Sequence, residues 1–384
     1  VTRDFLAEAR RLSGEFAQLR RAFHREPELG NREFRTAEKI ERYLSGCGVE
    51  TRRILGTAVV GCLTGARPGR CAALRADMDA LPLQEATGAP FASQVPGVMH
   101  ACGHDVHLAA ALGAARLLAG RRDVLRGRAV FLFQPDEEGR GGAQRMIDAG
   151  ALEGVDAVFG AHVSPDLPAG HVGVRYGKFY AASDTFRVEV KGWSAHGAER
   201  EKGVDALAAA AEMVTDVLAL PQAMPGDRCV VSVGTLRAGT AENIIADSAE
   251  FAGIIRTLGP TARAQMRARF ESAVRAVSER HGTTVRCALR ESYPGVVNDE
   301  PMTRLAEEAA RAALGADRVH VIAAPTMTTE DFGCFLQARP GTYYHVGAGC
   351  DVPLHHPAFL PDDEAVVTAA AVHAVVIGAF LETV

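Results

Sequence analysis

Apolar residues recur at Phe5, Ala9, Leu12, Phe16, Leu19 and Phe23, in steps of four and three, and this spacing predicts one amphipathic helix at the start of the chain. Pro27 and Gly30 break it, a second helix is expected to run to about Ser45, and Gly46 and Gly48 stop that one. The period then changes. Apolar runs at 49–55, 57–63 and 71–76 predict strands, with Ala66-Arg67-Pro68-Gly69 as a turn before the third. Leu108-Ala109-Ala110-Ala111-Leu112 opens a buried helix, and Ala129-Val130-Phe131-Leu132-Phe133 and the run from Val155 to Ala161 suit central strands. Beyond Tyr180 the rhythm becomes strand 184–190, helix 205–220, strands 229–237 and 249–257, helix 262–280 and strand 283–293, the order of a split β-α-β-β-α-β unit. A helix at 301–314, a strand at 319–323, a helix from Asp331 and a strand at 343–346 then restore the earlier alternation. The expected fold is therefore α/β: a larger discontinuous domain (1–179 and 295–384) with a mostly parallel sheet, and an inserted smaller α+β domain (180–294) able to act as a lid and in dimerisation.

Composition narrows the function classes. The chain has 384 residues, more than one core usually organises, which also favours two domains. A formal charge of -5 carries no basic footprint for nucleic acid. The longest apolar run, Ala365 to Leu381, is Ala-rich and interrupted by Thr368, His373 and Gly378, which suits a helix packed on a sheet and not a membrane span. The eight cysteines are scattered without CxxC pairs, as expected in a reducing cytoplasm, and because the N-terminus opens directly into an amphipathic helix no signal peptide is expected.

The chemistry gathers in Met99-His100-Ala101-Cys102-Gly103-His104-Asp105-Val106-His107, where three imidazoles and a thiol are good ligands for a borderline-soft divalent metal. Gly103 permits a tight turn that aims Cys102 and His104 at one point, and Asp105 is expected to fix the tautomer of a ligating imidazole. A rival reading makes Cys102 a nucleophile with His104 or His107 as its base. Three other segments weigh on the choice, because apolar runs end in Asp77 and Asp79, in Asp136-Glu137-Glu138, and in His162. Carboxylates at the end of a core strand cost several kcal/mol each to desolvate unpaired, so water or cations must meet them. Adjacent side chains on extended backbone diverge, which gives Glu137 and Glu138 separate tasks. Polar loops at Trp193-Ser194-Ala195-His196-Gly197 and Gly239–Ile244 could close over a site, and His355-His356-Pro357 precedes the last helix.

Taken together, RADMDALP (75–82), MHACGHDVH (99–107), FQPDEEG (133–139), AHVSP (161–165), AHGA (195–198), AENIIAD (241–247), EDF (330–332) and LHHP (354–357) resemble the M20 metallopeptidase family in its amidohydrolase branch. The resemblance spans nearly the whole chain in order. It implies two divalent metal ions, Zn or Mn before Co or Ni, held by Cys102, His104, Glu138, His162 and His355, with the Cys102 thiolate shared. It also implies Glu137 as general base and Asp79 as the carboxylate that orients it. His196 would bind the developing oxyanion, from its own or a partner subunit, and Asn243 the substrate carboxylate. The implied activity is hydrolysis of the amide bond of small N-acyl-L-amino acids, with a dipeptidase or carboxypeptidase as the alternative, in a homodimer or higher homo-oligomer. The chain departs from the family pattern at Glu199-Arg200-Glu201, at Asp136 and at Ala86, and the first departure, beside His196, suggests a charged or polar group on the substrate.

Overall fold

In the computed structural model, which describes residues 4–224 and 228–383, the chain forms two compact units. The first comprises residues 1–177, 297–324 and 331–384, and the second 178–296 and 325–330.

Period-two and continuous apolar runs of the first unit build an eight-stranded sheet. Its middle consists of the strands Arg126–Gln134, Arg67–Asp77, Ala157–Ser164 and Gly341–Gly347, parallel to one another in that order. Antiparallel pairs lie toward both sides, between Glu50–Ile54 and Ala58–Thr64, between the latter and Arg126–Gln134, and where Gly341–Gly347 meets Val172–Val174. The inner strands are buried almost throughout, which is why they read as apolar runs instead of alternating ones. Two nearly all-apolar helices, His104–Ala119 and Glu364–Glu382, pack together in this core. The second is long and apolar enough to cross a membrane by length and composition alone, yet here it is a core helix.

Two local expectations fail for physical reasons. The first helix is two, Asp4–Arg11 and Ser13–Arg25, because Leu12 leaves helical geometry at φ -94°, ψ 7°. The apolar period continues across the break, so periodicity could not reveal it. The expected turn at Ala66–Gly69 is instead the start of the Arg67–Asp77 strand, where Arg67 pairs with Arg126 and an irregularity before Cys71 absorbs the Pro-Gly step.

The second unit carries a four-stranded antiparallel sheet, ordered Thr284–Glu291, Ala182–Lys191, Ser248–Thr257, Cys229–Ala238. Helices Ala206–Ala219 and Pro260–His281 bury Ala209, Ala210, Met213, Val217, Met266, Phe270 and Val274 in its core with Phe186, Val188 and Phe251. Asp205 caps the first helix by accepting the amides of Leu207 and Ala208, each at 3.0 Å.

Candidate metal centre

Three parallel strands of the first unit deliver their carboxyl ends to one place, as ligand sites of open α/β sheets require. Asp77 ends one strand, Glu137 and Glu138 follow the second, and His162 lies near the end of the third. Cys102 and His104 arrive from the loop that starts the His104–Ala119 helix. Gly103 turns there at φ +85°, and a Cβ on it would stand 2.3 Å from Val163 Cγ2, so both conformation and space demand glycine. His355 comes from the segment before the last helix and takes φ +64°, a strained value for a side-chain-bearing residue, while its N–H donates to Ala101 O at 2.8 Å.

The five expected ligands converge in two overlapping triads, Cys102 with His104 and His162, and Cys102 with Glu138 and His355. Cys102 Sγ lies 3.3 Å from His162 Nε2 and 3.2 Å from His355 Nε2. Glu138 Oε1 lies 3.1 Å from His355 Nε2 and 3.9 Å from His104 Nε2. For comparison, sulfur at about 2.3 Å and nitrogen at about 2.0 Å from one tetrahedral zinc stand roughly 3.5 Å apart. His104 Nε2 and Glu138 Oε1 are both buried, and apart from the His355 ring nitrogen beside Glu138 neither has a hydrogen-bond partner. A buried polar atom without a partner is expensive, and these two face each other across the space where a cation would satisfy them.

The charge balance agrees. Burial opposes a charge on His104, yet Asp77, Asp79 and Glu138 together raise its pKa to about 10, so the site draws a proton when it holds nothing else positive. Burial, with Glu138 and Glu137, pushes the Cys102 thiol well above its ordinary value. For His162, burial and the neighbouring His107 drive the pKa well down, which leaves it a neutral ligand. These residues fit a pair of divalent cations, whose charge would release the thiol proton and the extra proton on His104.

Around the ligands the polar contacts are specific. Asp79 accepts the amide of Glu137 on Oδ1 at 3.0 Å and that of Glu138 on Oδ2 at 2.9 Å, while its backbone carbonyl meets His104 Nδ1 at 2.8 Å. One aspartate thus holds the amides of both glutamates and one ring nitrogen of His104. The glutamates lie in a turn and not on extended backbone, because the strand stops at Gln134 and Asp136 swings to φ +60°. Their separate directions come from that turn. Asp136, the departure from a small residue, accepts the Arg140 amide at 3.4 Å within it. Asp105 does not orient a ligating imidazole as expected: its carboxylate binds Arg20 Nε at 3.0 Å and His24 Nδ1 at 2.9 Å.

His107 is excluded as a ligand because both ring nitrogens are engaged. Nδ1 donates to Asp77 Oδ1 at 2.6 Å, and Nε2 accepts the Val163 amide at 2.9 Å. Those bonds equally deny it the role of base to Cys102, whose near neighbours are His162 and His355. With its thiol pKa raised by burial, Cys102 lacks the depressed value a nucleophile needs.

A model of the peptidase family M20/M25/M40 matches residues 73–378. The chain belongs to that family. Similar to it are the N-acetyl-L-cysteine deacetylase of Bacillus subtilis, 37% identical over 94% of this chain and 86% of the relative, and the thermostable carboxypeptidase 1 of Saccharolobus solfataricus, 36% identical over 96% and 95%. Among solved structures, a Bacillus subtilis dinuclear metal-binding peptidase from the M20 family superposes with a TM-score of 0.88 at 35% identity, covering 98% of this chain and all of that one. Membership of this family and its deacetylase relatives make the chain a hydrolase.

In the second unit of this M20 chain, His196 and Asn243 sit on neighbouring loops. His196 bridges Ile244, and Gly197 N–H donates to Asn243 O at 2.8 Å. His196 Nδ1 accepts the Ala198 amide at 3.1 Å, which leaves the ring proton on exposed Nε2 as a donor. Nearby, Arg200 pairs with Asp205 at 3.3 Å and Lys202 with Glu199 at 2.5 Å.

Sequence reasoning missed several supporting residues. Arg75 reaches Asp77 at 2.5 Å, Gln134 Oε1 at 2.9 Å and Asp331 at 2.9 Å, and Asp331 accepts the amides of Gly142 and Ala143 that follow the glutamate turn. Glu33 accepts the Asp136 amide at 3.0 Å. The RADMDALP and EDF motifs were the available signal for Arg75 and Asp331. Nothing in the local sequence marks Glu33.

Proposed function

We propose that this M20 hydrolase cleaves the amide bond of N-acyl-L-amino acids, releasing a carboxylic acid and a free amino acid. The observation that carries this reading is the double triad sharing Cys102, with Glu137 beside it and its amide held by Asp79. A pair of divalent cations held there would supply the chemistry of lowering the pKa of a water molecule from 15.7 to about 7 and polarising the scissile carbonyl. Cys102, His104 and His162 would hold one ion, and Cys102, Glu138 and His355 the other. Glu137, buried beside His104 and Glu138, would take the proton of the attacking water and return it to the leaving amine. Asp79 keeps Glu137 aimed while the charge moves. His196 Nε2–H donates to the developing oxyanion, a contact whose loss typically costs about 100- to 1000-fold in rate, and Asn243 binds the substrate carboxylate.

The thiolate and imidazole set favours zinc, with manganese the next choice. The homo-oligomer and the cytoplasmic location remain part of this reading, supported by the antiparallel second sheet and by eight cysteines that all remain free. A related carboxypeptidase keeps the peptide-cleaving alternative in play, since the same centre serves either bond. Parallel assays with N-acetyl, N-benzoyl and long-chain N-acyl amino acids and with dipeptides decide between them. Turnover of N-acyl amino acids well above that of dipeptides is expected, and the reverse order overturns the substrate assignment.

A further inference from the structure

His24, in the last turn of the Ser13–Arg25 helix, is completely buried and stands between two carboxylates. Nδ1 lies 2.9 Å from Asp105 Oδ2, and Nε2 lies 3.2 Å from Glu85 Oε1. Carboxylates only accept hydrogen bonds, so both ring nitrogens must donate, and an imidazole donates twice only as the imidazolium. A neutral ring would point a lone pair at one buried carboxylate oxygen. Arg20, 1% exposed, completes a balanced box of two cations and two anions by donating to Asp105 at 3.0 Å. Burial works against the charge on His24, but Asp105 and Glu85 outweigh it and raise its pKa to about 9. Of the other rings nearby, Phe91 packs edge-on at 5.6 Å, and burial pushes the pKa of His100 down to about 3, so it stays neutral. Arg20 also reaches Asp363 at 2.8 Å, and Arg21 lies over Phe91.

Each carboxylate clamped by His24 is tied to a ligand-bearing segment. Asp105 follows His104 in the first turn of its helix. Glu85 organises the 83–98 loop through the Ser93 amide at 2.6 Å, and the next residue, Ala86, donates to Pro357 O at 2.8 Å, two residues beyond His355. The helix end itself is tied to that loop, with Gln94 N–H on Arg25 O at 2.8 Å. We propose that His24 is a positioning residue for the metal centre: as a buried imidazolium it locks the His104 helix and the His355 segment to one support, and its deprotonation loosens both. The inference rests on the metal-centre reading but is independent of which amide is cleaved.

The sign follows from linkage. A folded-state pKa raised above about 6.5 contributes stability that is complete below that value and disappears as pH rises through about 9. The ligands by themselves predict the opposite trend, since metal binding improves as thiol and imidazoles lose protons. The test uses the full zinc-loaded chain. The pH titration of His24 is followed by histidine-selective nitrogen NMR, and zinc extraction by a chelator is timed between about pH 7 and about pH 10. His24 is expected to titrate near 9, with extraction accelerating 10-fold or more above it, in the range by which partners of metal ligands alter affinity. Glu85→Gln, which lets a neutral ring accept from the new amide, should keep zinc at pH 7, lower the His24 pKa and flatten the alkaline acceleration. A His24 pKa below 7 in the unaltered chain overturns the inference, as does an extraction profile that is flat in the unaltered chain or identical in Glu85→Gln. Zinc stoichiometry near zero would instead sink the metal centre itself, and the NMR titration separates the two failures.

Discussion

Glu137 and Gly103 are the residues at which the account is most exposed to single substitutions. Glu137 has its backbone amide on Asp79 and is no member of either cysteine triad, so Glu137→Gln should leave metal content unchanged. Turnover is expected to fall by about 10²- to 10⁴-fold, the usual contribution of a positioned base. Metal analysis beside steady-state kinetics checks this, and near-normal turnover removes the base assignment. Gly103→Ala meets both a left-handed φ and the Val163 side chain, so it should cost about 1–3 kcal/mol and weaken metal binding with it. Denaturant unfolding and a chelator competition measure the two losses separately. Gly103 was readable from the letters, because few residue types can sit between two converging ligands. The tasks of Asp105 and His107 were not. A loop of histidines and one aspartate offers many pairings, and only the arrival of Arg20, His24, Asp77 and Val163 from distant segments selects among them.

Strand ends organise the site at the next scale. The strands Arg67–Asp77 and Arg126–Gln134 run parallel, with Asp77 paired to Gln134, and that register sets the aspartates beside the glutamate turn. Arg75 fastens this edge from within. It is 2% exposed and satisfied by Asp77, Gln134 and Asp331, so Arg75→Met strands two buried carboxylates without their cation. A loss of about 3–5 kcal/mol is expected from unfolding curves, and a change below about 1 kcal/mol would contradict the structural role assigned to it. Apolar runs ending in ligand-type residues made these elements legible. The break at Leu12 and the strand start at Arg67 were hidden, the first because hydrophobic period persists across a kink, the second because Pro-Gly signals a turn until a partner strand is known.

For the molecule as a whole, the α/β sheet and the family were legible because ligand chemistry recurs at strand ends across almost the full chain, and the match over residues 73–378 agrees. Long-range partners such as Glu33 with Asp136, 103 residues apart, were beyond any local pattern. If the centre holds metal, chelation must cost stability as well as activity. Restoring zinc to about 100 times its dissociation constant should return about 2.7 kcal/mol, read as a rise in the unfolding midpoint, and an unchanged midpoint would contradict the assignment.

The central claim is that one thiolate is shared by two cations. Crystals grown with zinc and measured on either side of its absorption edge test it directly. Two anomalous peaks per chain are expected, each about 2.3 Å from Cys102 Sγ, one also touching His104 and His162 and the other Glu138 and His355. A single peak, or a pair with neither member in contact with Cys102, would contradict it.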